Sequence, residues 1–180
     1  MKALVVNCSY QAGVKTAGSI SGYSLGAAKL ANWLRSEGHE VTEWGGDPGM
    51  FALGYDLVCL SVIFSWHAPL ACGIALRVKE HSEVWCGGPG MTDIVGWWKE
   101  QTGLDCVPNL DSRFEKQRGS YLMTFASRGC PVGCSFCNVW RREGKDFTLD
   151  WDFEPAPILC DNNLSALPDE FQDHIIARYQ

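Results

Sequence analysis

Short apolar segments alternate with amphipathic segments over the first 108 residues. The apolar segments, which predict strands, are residues 2–8, 39–44, 55–64, 83–86 and 105–108. The amphipathic segments, which predict helices, are residues 22–37, 69–81 and 90–101. In the first of these, Leu30, Trp33 and Leu34 recur with the spacing of one helix face, and Gly38 supplies a stop. The alternation predicts an α/β fold, namely a Rossmann-like doubly wound parallel sheet.

A change of pattern after residue 108 predicts a second domain. Residues 109–119 are mostly polar and predict a surface linker. Beyond them the sequence predicts strands over residues 121–127 and 157–160 and an amphipathic helix over residues 168–179. We therefore place one domain at residues 1–115 and another at residues 116–180.

Composition and charge narrow the class of protein. With 46% hydrophobic and 20% charged residues among 180, the chain is unlike a disordered protein. The net charge of −6 argues against a broad nucleic-acid surface. The most apolar run, residues 57–66, is half the ~20 residues of a membrane span, so we expect no membrane partner. The first residues lack a secretion signal and the nine cysteines are odd in number, so we expect a cytoplasmic protein with reduced thiols.

Three of the nine cysteines are clustered. Cys130, Cys134 and Cys137 have C-x3-C-x2-C spacing, and Gly129 and Gly133 allow the loop to curl around a common centre. Basic side chains flank this loop in an otherwise acidic chain and favour thiolates and an anionic ligand: Arg128, Arg141, Arg142 and Lys145.

The residue chemistry of this cluster leaves three uses open. It suits an iron–sulfur cluster with three protein ligands, or an electron-transfer cluster with Cys160 as the fourth ligand. It also suits a structural zinc site in an interaction module, with Cys160, Cys106 or His174 as the fourth ligand.

The cysteine loop resembles that of the radical S-adenosylmethionine (SAM) superfamily, including the aromatic residue before the last cysteine. This resemblance implies a [4Fe–4S] cluster on Cys130, Cys134 and Cys137, with S-adenosylmethionine on the fourth iron and Phe136 near the adenine. It also implies reductive cleavage of S-adenosylmethionine to a 5′-deoxyadenosyl radical, which transforms an unknown substrate. The electron would come from a flavodoxin- or ferredoxin-like donor. Residues 159–163 resemble the end of the second barrel strand of that family.

The first domain resembles the cobalamin-binding domain that often precedes such a barrel. The segment 84–92 contains Gly87 and Gly88, which match the glycine pair beside the cobalamin nucleotide tail, and Ser61 lies on the preceding predicted strand. The D-x-H-x-x-G sequence that supplies an axial histidine is absent. Either cobalamin binds without a protein imidazole, or the domain retains only the shape.

The family's barrel is longer than the sequence that follows the cluster loop. The resemblance implies a partial (βα)6 barrel, yet 43 residues follow Cys137, enough for little more than one βα unit of about 30 residues. We therefore expect a fragment of a longer protein or a form completed by a partner, and an enzyme only when the barrel is complete. Unpaired barrel edges also predict self-association.

Overall fold

The computed structural model describes residues 1–9, 24–107 and 123–180. The chain divides into two compact units, Met1–Gly119 and Ser120–Gln180, hereafter unit 1 and unit 2. The predicted linker at 109–119 and the predicted boundary after residue 115 lie outside the described residues.

Unit 1 contains a four-stranded parallel sheet with helices on both faces, which confirms the predicted α/β class. Its strands, in the order β2-β1-β3-β4, have these bounds: β1 Lys2–Asn7, β2 Glu40–Gly45, β3 Leu57–Ser61 and β4 Glu83–Gly87. Its α-helices are α1 Leu25–Ser36, α2 Ala68–Val78 and α3 Val95–Thr102. Three 3-10 helices cover Gly49–Gly54, Ser65–His67 and Pro89–Met91.

The two faces of this sheet bury alternate residues of the same strands. On one face, Ala3 and Val5 of β1 belong to the core that Leu34 of α1 completes. On the other face, Leu4 and Val6 of β1 belong to a larger core with Ile74 of α2. A strand that is buried on both faces needs apolar residues throughout, which explains the uninterrupted apolar segments of the sequence.

Two predicted elements are shorter in the structure, because one strand ends early and one helix begins late. The strand expected over residues 55–64 ends at Ser61, and the chain turns into a 3-10 helix. The helix expected over residues 90–101 is a 3-10 turn followed by α3 from Val95. The Gly90 N–H donates to the Val62 carbonyl (2.9 Å). The segment that was expected to begin the helix is therefore hydrogen-bonded to the residue that follows β3. In the described part of the strand expected at 105–108, only Val107 pairs, through one bridge to Gly87.

Hydroxyl contacts connect the carboxyl ends of β1 and β3, the point at which the strand order reverses. The Ile63 N–H donates to Ser9 Oγ (3.0 Å). Ser61 Oγ lies 3.0 Å from the Oγ of Ser24, the residue that caps α1 by accepting from the Ala27 N–H. Sheets of this kind bind ligands at such a reversal point, so these contacts shape the edge where a ligand is expected.

Unit 2 has short strands and a small core. β5 Met123–Thr124 pairs in parallel with β8 Ile158–Leu159, and β6 Ser127–Arg128 pairs antiparallel with β7 Thr148–Leu149. Its helices are α4 Val139–Arg142, the 3-10 helix Leu164–Ala166 and α5 Asp169–Arg178. The core consists of buried residues from the loops and from α5: Ala126, Phe153, Leu167, Phe171 and Ile175.

The predicted strand at 121–127 is divided in its described part. Residues 125 and 126 interrupt β5 and β6, and the Ala126 N–H donates to the Asp161 carboxylate (2.8 Å) instead of to a neighbouring strand. The longest described α-helix, α1, has 12 residues. Within the described ranges, no helix has the length and apolar character needed to cross a membrane.

We predict that Gly88→Ala destabilises unit 1. Gly88 has φ of 110°, which L side chains rarely adopt, and an added Cβ would lie 2.5 Å from the Val62 carbonyl oxygen. Strain and overlap together should lower the free energy of unfolding by about 2 kcal/mol or more. The control is Gly73→Ala, at an exposed and open position of α2, which should raise stability by about 0.5–1 kcal/mol. Urea denaturation measures both, and equal stability of the two variants would contradict the close approach.

Candidate functional site

The three clustered cysteines lie on one curled loop between β6 and α4. Gly129 and Gly133 have φ of 89° and 66°, as the expected curl requires. A side chain at Gly129 would also overlap the Asp146 carbonyl. The loop therefore passes so close to its own return segment that residue 129 must be a glycine.

The backbone between the last two cysteines forms a tight turn. The Cys137 N–H donates to the Cys134 carbonyl (3.1 Å), and the Trp140 indole Nε1–H donates to the same oxygen (2.9 Å). Trp140 belongs to α4, so this short helix fixes the position of Cys134 from outside the turn.

Two of the three loop sulfurs accept hydrogen bonds from nitrogen donors. The Val139 N–H donates to Cys137 Sγ (3.4 Å), and the Asn163 Nδ2–H donates to Cys130 Sγ (3.8 Å). Donors of this kind stabilise negative charge on sulfur, which a metal-bound thiolate carries.

The Glu143 carboxylate connects both ends of the loop with the segment after β8. It pairs with the Arg128 guanidinium (2.9 Å) and accepts from the Gly129 N–H (3.1 Å) at the loop's beginning. Asn162 Nδ2 donates to it as well (2.7 Å). The Glu143 side chain is only 11% exposed, so these charge-assisted contacts are partly shielded from water.

A second carboxylate, that of Asp161, holds the chain just before the loop. Besides the Ala126 N–H, it accepts from the Ser127 hydroxyl (2.7 Å). The Cys160 N–H continues the ladder with the Thr124 carbonyl (2.8 Å). Residues 160–163, here called the anchor segment, therefore bind the loop or the chain before and after it at four successive positions.

The basic side chains around the loop are engaged with local partners. Arg128 pairs with Glu143 and lies over the Phe125 ring, 4.4 Å from its centroid. Arg141 and Lys145 lie over the Trp140 ring, at 5.1 and 5.2 Å. Burial lowers the pKa of Arg142 from its ordinary value. The positive charge expected around the cysteines is present, and part of it serves packing.

Phe136 lies in the turn between Cys134 and Cys137 with its ring 90% exposed. An exposed ring next to two cysteines is open to contact with a planar ligand. Its predicted proximity to an adenine stays a prediction.

The proposed fourth ligands differ in their surroundings. His174 lies on α5, and its Nε2 is 2.7 Å from the Trp151 carbonyl, within an aromatic cluster. Burial, and secondarily Asp161, raises the pKa of the Cys160 thiol. Cys106 lies in unit 1. Across residues 1–9, 24–107 and 123–180, no three Cys, His, Asp or Glu side chains are grouped so that they could hold one metal ion.

The residues predicted to contact a cobalamin lie together at the carboxyl ends of β3 and β4, where Ser61 and Gly87 are register partners. Each of these three positions is in close contact with another residue of unit 1. A Cβ at Gly87 would overlap the Val107 carbonyl, one at Gly88 would meet Val62, and Ser61 contacts Ser24. The space beside Gly87 and Gly88, where a side chain would lie, is occupied by the backbone of Val107 and Val62. That space is therefore not open to a nucleotide tail. Cobalamin binding therefore stays a prediction, and these residues do not strengthen it.

The cysteines of the sheet are buried thiols. Cys8, Cys59 and Cys86 lie within the cores of unit 1. Burial raises the pKa of Cys8 and Cys59 to about 12 and raises that of Cys86 further. These thiols stay protonated at neutral pH and behave as small apolar side chains.

The sequence interpretation did not identify four residues that organise the loop: Trp140, Glu143, Asn162 and Asn163. Glu143 lies 14 positions from Gly129, and Asn163 lies 33 positions from Cys130, the residues that they contact near the start of the loop. The available signal was the run Asp161-Asn162-Asn163 after a predicted strand, because side chains at the carboxyl end of one parallel strand approach the loop that follows its neighbour.

We predict that Glu143→Ala loosens the loop. The variant leaves Arg128 and the Gly129 N–H without this acceptor. The free energy of local opening of the loop should fall by about 2 kcal/mol, which corresponds to roughly thirtyfold less protection from hydrogen exchange. Mass spectrometry of peptides covering residues 126–134 measures the change. Asp173→Ala, at an exposed position of α5, is the control. Equal protection in the two variants would show that Glu143 does not hold the loop.

No protein-family model matches the sequence, and no curated protein is significantly similar to it. The assignment of a function therefore depends on the chemistry of the cysteine loop and its anchor segment.

Proposed function

We propose that unit 2 binds a [4Fe–4S] cluster through Cys130, Cys134 and Cys137 and belongs to a radical S-adenosylmethionine protein. When bound, such a cluster supplies one electron for reductive cleavage of the S-adenosylmethionine sulfonium. The chain itself would supply three thiolates and hydrogen-bond donors to two of them. The fourth iron of the cluster would have no protein ligand and would be open to the cosubstrate.

The observation that carries this proposal is the pair of N–H···S hydrogen bonds in the glycine-curled loop. Val139 and Asn163 each direct a donor to a loop sulfur, at 3.4 and 3.8 Å. Cysteines that serve only as packing are buried in apolar surroundings, as Cys8 and Cys59 are. All three loop cysteines are instead partly exposed, as cluster ligands beside an open site would be.

A cube and a single ion require different spacing of the ligand sulfurs. A tetrahedral zinc site brings its sulfurs to one centre with Zn–S distances of about 2.3 Å. A cube takes each thiolate on a different iron and so tolerates wider spacing. Among the described residues no three Cys, His, Asp or Glu side chains are grouped around one ion, so the metal content of the reconstituted chain is what distinguishes zinc from a cluster.

The strands of unit 2 support a barrel beginning. β5 and β8 are parallel neighbours, as consecutive strands of a (βα)6 barrel are, and α5 follows β8. The cysteine loop and the anchor segment both follow the carboxyl ends of these strands, where such barrels carry their sites. The hairpin of β6 and β7 is an insertion between them. We propose that unit 2 forms the first βα units of that barrel.

Metal content tests the ligand set. Anaerobic reconstitution of the whole chain with ferrous iron and sulfide should give about four irons and four sulfides per chain. Ala substitution of Cys130, Cys134 or Cys137 should each remove most of the iron, whereas Cys160→Ala should retain it. Iron loss in Cys160→Ala would instead indicate a four-cysteine electron-transfer cluster, and one zinc without visible absorbance would indicate a structural site.

The open iron position is tested by spectroscopy. Addition of S-adenosylmethionine to the dithionite-reduced, reconstituted chain should change the electron paramagnetic resonance (EPR) spectrum, because the amino and carboxylate groups reach an iron that lacks a protein ligand. 5′-Methylthioadenosine, which lacks the amino and carboxylate groups, serves as the control ligand and should leave the spectrum unchanged. A spectrum that is the same with and without S-adenosylmethionine would contradict the proposed cosubstrate.

A further inference from the structure

We propose that Asn163 is a positioning residue that raises the reduction potential of the cluster through its hydrogen bond to Cys130 Sγ. This inference rests on the proposed cluster. Asn163 is half-buried, and its Nδ2 lies 3.8 Å from the sulfur of a residue 33 positions earlier in the chain. It is a side-chain donor, so it can be removed without altering the backbone of the loop.

The backbone position of Asn163 makes this contact unusual. Asn163 precedes the 3-10 helix Leu164–Ala166 at the cap position, where an asparagine side chain ordinarily accepts from the first N–H groups of the helix. Its side chain makes no such capping bond. Its backbone carbonyl accepts from the Ala166 N–H (3.3 Å), as a cap carbonyl ordinarily does, while its side-chain amide donates to Cys130 Sγ.

A serine determines which end of the amide faces the sulfur. The Ser165 hydroxyl donates to Asn163 Oδ1 (3.0 Å). Because the amide has its acceptor and its two donors on opposite sides, occupation of Oδ1 directs the NH2 group to Cys130. Ser165, Asn163 and Cys130 therefore form a chain of hydrogen bonds with one polarity.

The residues before Asn163 restrict its movement. Asp161 binds Ala126 and Ser127, and Asn162 binds Glu143 at 2.7 Å. Because the two residues before it are attached to the chain on either side of the loop, the Asn163 donor is held in place at little further entropic cost.

The effect on the cluster follows from charge. One-electron reduction adds negative charge that is shared with the ligand sulfurs, and an N–H donor stabilises the reduced form more than the oxidised form. Removal of the donor should therefore make the cluster harder to reduce, without changing the number of irons.

The test is an EPR redox titration of the reconstituted whole chain with dithionite as the reductant. In Asn163→Ala, the ratio of reduced to oxidised cluster at a fixed potential should fall about tenfold, a shift of about 59 mV to more negative potential for one electron. Ser165→Ala, which keeps the donor and loses its orientation, should shift in the same direction by about threefold. Ser135→Ala, an exposed serine between the cysteines, is the matched control and should titrate like the native chain.

The outcomes separate this inference from the function on which it rests. A native chain that takes up no iron overturns both. A native chain with about four irons and an Asn163→Ala variant with equal iron and an unchanged potential overturns the inference alone. If Asn163→Ala loses its iron, Ser165→Ala decides, and an unchanged potential there overturns the inference.

Discussion

The Glu143 carboxylate is the contact on which the geometry of the cysteine loop depends. Strands of two residues provide few ladder hydrogen bonds, so the sheets of unit 2 cannot by themselves fix the ten-residue loop between β6 and α4. Glu143 and Asp161 perform this task by accepting from backbone N–H groups at positions 129 and 126. Two charged side chains thus replace regular secondary structure as the support of the site, which explains how a small domain can hold a precise loop.

In unit 1, by contrast, the edge of the sheet is held by backbone segments that pack directly against one another. The glycines that follow β4 let this segment pack against Val62, Phe64 and Val107 without side chains between them. A glycine pair after a strand is therefore required by the packing of this sheet alone. The same pair also matches a ligand-binding pattern, and the two explanations cannot be separated from the sequence because both need the same residue for the same steric reason.

Prediction from sequence succeeded where local patterns determine structure. Strands β1 and β3 were evident from their continuous apolar residues, which the structure buries on both faces, and α1 was evident from the spacing of Leu30, Trp33 and Leu34. The curl of the cysteine loop was expected from Gly129 and Gly133. The contacts of Glu143, Asn162 and Asn163 were missed because they join positions up to 33 residues apart, and polar residues outside regular elements carry no periodicity. The early end of β3 was missed because the apolar run continues beyond the strand, to Phe64.

The burial of the cysteines in unit 1 has a practical consequence for the fate of the protein in air. Thiols that stay protonated react slowly with dioxygen, peroxides and alkylating agents, because the thiolate is the reactive form. Cys8, Cys59 and Cys86 are protected in this way, whereas the loop cysteines are accessible to small reagents. We therefore expect oxidation to reach the loop cysteines before these buried ones. A measurement of the folding of unit 1 would then not reveal that the loop cysteines have been oxidised.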